Sequence, residues 1–368
     1  MIKSIKLDFW KNKNVLITGH TGFKGSWLSI YLLELGANVI GYSLEPKNDK
    51  DNYNLTNLKD KIIDIKGDIL DYDNLKIVFN KYQPDIVFHL AAQPLVIQSY
   101  KNPIETYKTN VIGTLNVLEC INSIPKKVVG VMITTDKCYE NKEQYWGYRE
   151  DDNLGGYDIY SSSKACCEIL INSYRNSFFN INEYELHQKD ISSVRAGNVI
   201  GGGDWSEYRL IPDCIKAFEE EREVLIRNPN SIRPWQHVLE AISGYIILAQ
   251  KMYENPTKYS GAYNFGPNVT ETITVENLAR QIAKSMNKEH LVKVQENSLF
   301  HEASLLFLDI SKSRFKLGWN PILNIDDTID YTIDWYKNYK YKDCYNICKE
   351  QVSKYTNLKE SAYGDKNE

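Results

Sequence analysis

The sequence predicts an α/β fold: a doubly wound parallel sheet of Rossmann type with a smaller C-terminal substrate-binding domain. Three observations predict it. Apolar strand-length runs alternate with helical spacing and short joins for almost 200 residues, which is the pattern of a parallel sheet. A glycine-rich turn, Gly19-His-Thr-Gly22-Phe-Lys-Gly25, stands between the first strand and the first helix. A later apolar run, residues 128–133, ends in Thr134-Thr-Asp-Lys137, and Tyr160-Ser-Ser-Ser-Lys164 opens the helix that follows. The chain has 368 residues, enough for one large or two modest domains with a full core. Hydrophobic content is 42% and charged content 25%, as in a soluble globular protein. The net charge of −4, with no long basic run, argues against nucleic acid as a partner.

Residues 15–18 read as a buried strand and residues 26–35 as a helix. The glycines between them allow a tight turn, close approach of a pyrophosphate and close helix packing. Amides at the helix start favour negative phosphate. Gly19, Thr21, Gly22, Phe23, Lys24 and Gly25 are therefore the expected cofactor loop. The second strand covers 38–43. An acid often stands at its end for the ribose hydroxyls. Here the position holds Ser43, with Glu45 two residues later and no arginine to pair with a 2′-phosphate, so NAD is expected over NADP. The third strand, 62–65, runs into Gly67-Asp68-Ile69, where Asp68 reaches the adenine amino group and Ile69 completes the stretch. The fourth, 85–90, leads to Ala91-Ala92-Gln93. Small Ala91 and Ala92 let the chain pass close under a cofactor, and His89 reads as a core histidine. A helix over 106–121 contains Asn110. The fifth strand covers 128–134, a helix runs from 160 to 178, and a sixth strand covers 191–196.

Thr134 to Lys137 stand at the carboxyl end of the fifth strand, the edge where open α/β sheets bind ligands. Tyr160 and Lys164 are four apart and share a helix face. A cation beside a phenol favours phenolate and makes a usable base. A base (Tyr160), an acid (Asp136), an amine (Lys137) and a hydroxyl (Thr135) are thus expected in one cleft.

After Gly197 the pattern changes. A glycine loop at 201–205, a helix at 209–220, a short strand at 224–227 and a helix at 239–252 suggest a smaller lid domain. Arg227 and Arg233 suit a bidentate grip on phosphate. The expected division is 1–198 for cofactor binding and 199–340 mainly for substrate, with elements that interleave. Residues 341–368 read as a polar tail whose last dozen residues fray. Seven cysteines without a CxxC pair read as free thiols, with neither disulfide nor metal, and Cys344 with Cys348 as a plain helix face. No run approaches 18 apolar residues, and Asp8 and Lys11 interrupt the N-terminus, so a cytoplasmic location without membrane contact is expected.

The glycine motif followed by Tyr160-x-x-x-Lys164 resembles the extended short-chain dehydrogenase/reductase family. Within it, the chain is similar to the branch of nucleotide-sugar 4,6-dehydratases that acts on CDP-glucose. That likeness is carried by Thr18-Gly-His-Thr-Gly-Phe-Lys-Gly-Ser-Trp27, His89-Leu-Ala-Ala-Gln-Pro94, Thr135-Asp-Lys-Cys-Tyr139, Arg195-Ala-Gly-Asn-Val-Ile-Gly-Gly-Gly-Asp-Trp205 and Ile232-Arg-Pro-Trp-Gln-His-Val-Leu-Glu240. The resemblance implies a tightly held NAD, with Tyr160 and Lys164 also touching it, and a homodimer joined through the helices at about 106–121 and 160–176. It implies that Tyr160, with Thr135 and Lys164, takes the C4 hydroxyl proton, and that Asp136 protonates the departing C6 hydroxyl. Lys137 stands where related dehydratases carry a glutamate as base at C5. Gln93, Arg195, Asn198, Arg227 and Arg233 are implied to hold the nucleotide sugar. The alternatives are a 4-epimerase or a dehydratase for another nucleotide sugar on this scaffold. A non-catalytic NAD-dependent sensor would have lost the catalytic set.

Overall fold

The computed structural model describes residues 5–226, 228–294 and 305–364. Seven strands form the central sheet: β1 (Asn14–Thr18), β2 (Asn38–Ser43), β3 (Ile63–Lys66), β4 (Ile86–His89), β5 (Val128–Ile133), β6 (Lys189–Ala196) and β7 (Gly261–Phe265). Their spatial order is β7-β6-β5-β4-β1-β2-β3, and every pairing is parallel. The order reverses between β1 and β4, so a crevice opens there at the carboxyl ends of the strands. The middle of the sheet is covered on both faces, and all six residues of β5 are buried.

Alternate residues serve opposite layers. Leu16, Val87, Val128 and Met132 pack with α2 (Tyr72–Tyr82), α5 (Gly113–Ser123) and α6 (Ile159–Ser177) through Phe79, Leu118, Ile121 and Ile171. Val15, Ile17, Phe88 and Val131 face the other way. They join Trp27 and Ile30 of α1 (Phe23–Glu34) and Ile242, Tyr245 and Ile246 of α8 (Val238–Glu254). Between β4 and α5 lie α3 (Val96–Lys101) and α4 (Pro103–Tyr107), and α7 (Leu210–Glu219) follows β6.

Several elements differ from the sequence reading. The expected helix over 106–121 is three pieces: α4, a π turn (Lys108–Ile112) and α5. Helices α2 and α3 lie in stretches to which no helix was assigned. β7 comes from the C-terminal part of the chain and completes the central sheet beyond β6. Two further helices, α9 (Val275–Ser285) and α10 (Ile325–Asn338), follow it. The tail is not frayed over its described length. It forms α11 (Cys344–Gly364), which packs against α1 and α10. Cys344, Ile347, Cys348, Val352 and Tyr355 are buried beneath it. Lys359 is buried as well, donating to Ser243 Oγ at 2.7 Å and Tyr355 Oη at 3.1 Å, while Tyr355 Oη donates to Glu240 Oε2 at 2.7 Å. The polar composition of this segment masks an apolar stripe at helical spacing. The seven cysteines are free. No described helix is long and apolar enough to cross a membrane.

Candidate active site

The crevice starts at the turn between β1 and α1. Gly19 has φ +79°, and a Cβ there would lie 2.7 Å from the Ala91 amide nitrogen. The glycine loop therefore rests directly on the chain leaving β4. A Cβ on Gly25 would lie 2.1 Å from Gly19 O, so only glycine lets the first turn of α1 close under the loop. Gly22 caps that helix without a side-chain hydrogen bond, which leaves the first amides of α1 open to an anion. Phe23 and Lys24 occupy the same turn and are half-buried. Thr21 ties the loop to the end of β2, its hydroxyl 2.8 Å from Ser43 Oγ and donating to Leu44 O at 3.1 Å. Asp68 accepts from Leu70 N at 2.9 Å, and buried Ile69 packs on Gly113. Ala91 and Ala92 are half-buried at the floor. The loop and its floor thus form a cradle that an added methyl group would fill.

The reacting groups come from β5 and α6. Thr135 and Asp136 are both buried at the strand end. Thr135 Oγ1 donates to Asp136 Oδ1 at 3.0 Å and accepts from Lys137 N at 3.3 Å. Asp136 Oδ2 has no hydrogen-bond partner among the described residues. A Cβ on Gly197 would stand 2.3 Å from that oxygen, so Gly197 makes room for it. Helix α6 begins at Asp158, whose carboxylate accepts from Ser161 N at 2.9 Å, and Ser99 Oγ accepts from Tyr160 N at 3.2 Å. These two bonds fix the first turn and aim the Tyr160 phenol at Thr135, to which it is hydrogen-bonded. Lys164 Nζ donates to Ile133 O at 3.3 Å, behind the same strand end.

Electrostatics revises two sequence expectations. Burial holds the Tyr160 phenol well above its ordinary pKa, Asp136 adds to this, and the Thr135 hydrogen bond and Arg209 pull the other way. The lowering expected from Lys164 does not occur: the phenol is desolvated, and the lysine is engaged with Ile133 O. Lys137, the amine expected in the cleft, has its side chain exposed on the turn. Burial lowers two lysines at the crevice, Lys164 and Lys24, the latter to about 8, with Arg209 and Lys164 acting in the same direction and Asp136 and Asp204 opposing. Arg209 donates to Asp204 Oδ2 at 2.8 Å from the residue preceding α7. Three cations, Lys24, Lys164 and Arg209, thus converge on the crevice with Asp136 and Asp204. Sequence reading missed Arg209, although the glycine loop that ends in Asp204-Trp205 and leads to it was noted.

The predicted substrate arginines do not gather as expected. Arg195 is buried and paired with Glu168 at 2.8 Å. Its other nitrogen donates to Tyr139 Oη at 2.7 Å and Glu150 O at 3.0 Å, so this guanidinium does not offer itself to a pyrophosphate. Gln93 is likewise turned inward. Its amide donates to Leu95 O at 3.1 Å and Thr106 Oγ1 at 2.9 Å and accepts from Leu95 N at 2.7 Å. Both are polar side chains beside a ligand cleft, and local partners claimed them first. Half-buried Asn198 receives Gln236 N on its carbonyl at 3.2 Å. Arg233 is half-buried and donates to Ile232 O at 3.0 Å. Arg227 lies outside the described residues. Asn110, noted in the sequence without a role, sits in the π turn. It accepts from Gln93 N at 2.8 Å and donates to Gln93 O at 3.2 Å and Ser163 Oγ at 2.9 Å, locking α6 one residue before Lys164. Among the described residues no three His, Cys, Asp or Glu side chains are grouped to hold a metal ion.

The chain resembles known proteins over most of its length. The family described as GDP-mannose 4,6 dehydratase matches residues 16–332. A CDP-glucose 4,6-dehydratase of Salmonella typhimurium is 46% identical over 352 residues, covering 95% of this chain and 98% of that protein. A UDP-glucuronate 4-epimerase of Thermodesulfobacterium geofontis is 26% identical, covering 88% of this chain and 95% of its own. Among solved structures, a dTDP-glucose 4,6-dehydratase of Bacillus anthracis in complex with NAD superposes with a TM-score of 0.74 at 22% identity, covering 89% of this chain and 98% of that one. That likeness speaks for the fold.

Proposed function

Because the chain belongs to the GDP-mannose 4,6 dehydratase family of extended short-chain dehydrogenase/reductases, we propose that it is a lyase converting CDP-glucose to CDP-4-keto-6-deoxyglucose with NAD. The choice of CDP-glucose rests on the relative that is 46% identical across nearly the whole of both chains. The chemistry rests on one observation above others: the unpartnered Oδ2 of buried Asp136, beside the hydrogen-bonded Thr135 and Tyr160. An epimerase on this scaffold needs the tyrosine and lysine but no acid aimed at C6.

The cradle of Gly19, Gly22, Gly25, Ala91 and Ala92 fits a dinucleotide, with the pyrophosphate on the first amides of α1 and Lys24 beside it. When bound, NAD would supply a hydride acceptor and later donor. Tyr160, hydrogen-bonded to Thr135, takes the C4 hydroxyl proton. The ketone at C4 acidifies the C5 proton, which Lys137 removes. Asp136 protonates the C6 hydroxyl, which leaves as water. A proton returns to C5 as the hydride returns to C6, so sugar oxidation and reduction cancel. Arg209, Asn198 and Arg233 hold the substrate, whose contacts come mainly from residues 199–340. Incubation with CDP-glucose should yield the alkaline absorbance of a 4-keto sugar. Its absence, with epimerised product instead, would sink this reading.

The Lys24 amine, lowered to about 8, implies a pH dependence. Below pH 8 it is charged, and a pyrophosphate favours that form, so affinity for NAD is full below about 8 and declines as pH rises through it. Titrations from pH 6.5 to 9.5 should show this. Lys24→Met should flatten the curve and weaken binding about tenfold.

The protein acts as a cytoplasmic homodimer in this reading. Ile104 of α4 is 72% exposed and Ile169 of α6 58% exposed. The two helices are neighbours, with the Tyr107 and Ser162 hydroxyls 2.8 Å apart. Pro103, Ile104, Tyr107, Val111 and Ile112 line an apolar groove of the kind a second copy covers. Ile104→Lys should shift the sedimenting species from dimer to monomer, and an unchanged dimer would place the interface elsewhere.

A further inference from the structure

Glu168 lies four residues beyond Lys164 and eight beyond Tyr160 on α6, so all three share one face. Its carboxylate is buried and accepts from three donors: the Thr134 hydroxyl, Ser193 Oγ at 2.7 Å and Arg195 Nη2 at 2.8 Å. Thr134 immediately precedes the Thr135-Asp136-Lys137 turn. Arg195 carries the connection onward to Tyr139 Oη, two residues past that turn, and its guanidinium lies 4.8 Å over the Tyr139 ring. Tyr139 Oη in turn donates to Asn264 Oδ1 of β7 at 2.7 Å. One buried ion pair therefore joins the helix that carries the phenol, both ends of the turn that carries the acid, and the edge strand of the sheet. Although burial pushes the Glu168 carboxyl up, Arg195 and the hydroxyl donors hold it below its ordinary value, so it is ionised.

Stability does not account for such a pair. A buried ion pair often does no better than well-packed apolar side chains of the same volume. What it provides is direction, because every bond to the carboxylate is charge-assisted and fixed in angle. We propose that Glu168 and Arg195 are positioning residues, a buried truss that holds the Thr135–Asp136 turn in register with the Tyr160–Lys164 face. Neither touches the substrate. The inference rests on the dehydratase reading for what is positioned. The bond it turns on, Thr134 to Glu168, can be tested independently.

Thr134→Val removes one hydroxyl at nearly constant volume, and Thr134→Ser restores it. The expected result for Thr134→Val is kcat for CDP-glucose lowered about 10²-fold with KM within twofold, since displacing reacting groups by about 1 Å costs this much. Thr134→Ser should recover most of kcat, and amide hydrogen exchange across residues 134–139 should speed up in Thr134→Val. Glu168→Gln should lower kcat in the same way, and if it fails to fold, the Thr134 pair decides. Wild-type kcat in Thr134→Val, or unchanged exchange across 134–139, overturns the proposal. Faster exchange in a protein whose wild type does not convert CDP-glucose supports the truss and removes the dehydratase reading.

Discussion

Tyr160→Phe is expected to lower the rate of the first hydride transfer by about 10²–10⁴-fold, the usual cost of losing a general base. The ring stays packed, since only the hydroxyl that meets Thr135 is removed, and CDP-glucose binding should stay within about threefold. Stopped-flow detection of enzyme-bound NADH separates the two effects. Wild-type NADH formation in the variant would exclude Tyr160 as the base. The pH dependence has a definite sign. Burial raises the phenol pKa and the base must be ionised, so the wild-type rate of this step rises with pH until the phenolate dominates. Tyr160→Phe should lose that limb. Thr135→Val should push the limb upward, because the Thr135 hydrogen bond acts to lower the phenol pKa.

Asp136→Asn should leave C4 oxidation intact and slow water loss by about 10²–10⁴-fold. The geometry explains why the effect falls on one step. Asp136 Oδ1 receives Thr135, and an asparagine oxygen accepts the same bond, so the phenol keeps its neighbour. Only Oδ2, which has no partner among the described residues, loses its ability to give a proton. NADH should accumulate on the enzyme, and C5 hydrogen should exchange with deuterated water while no 4-keto-6-deoxy product appears. Lys137→Met is the informative contrast. It should also accumulate NADH, but with C5 exchange lost. Matching behaviour of the two variants would mean that acid and base are not divided between these residues.

The parts of the site that were legible in the sequence are those set by local chemistry. The glycine turn is recognisable because three glycines are needed within seven residues. Tyr160 and Lys164 are recognisable because one helical turn separates them. What was not legible depends on distant partners. Arg195 looks like a phosphate ligand until Glu168, 27 residues earlier, is seen beneath it. Arg209 looked like an ordinary helix start until Asp204 and Lys24 were seen to share its charge. The break at Lys108–Ile112 is invisible to periodicity, since a π turn keeps apolar residues near the same face. For α11 the signal was present. Cys344 and Cys348 were read as a helix face, and Val352, Tyr355 and Lys359 continue it, but lysine and asparagine between them suggested a solvated tail.

The late arrival of β7 has a consequence for biosynthesis. Sixty-four residues separate the end of β6 at Ala196 from the start of β7 at Gly261. Until they are made, the outer edge of β6 presents unpaired amides and carbonyls, and the truss lacks its anchor at Asn264. The face of α1 waits longer still, for α11 at 344–364. A nascent chain thus emerges from the ribosome with its cofactor cradle spelled out but its sheet open-edged, and such an edge pairs with other chains. Folding is committed only after β7 and α11 have been made. A fragment ending at residue 198, although it contains every strand of the sheet but one, should be recovered as aggregate rather than as an independent cofactor-binding unit.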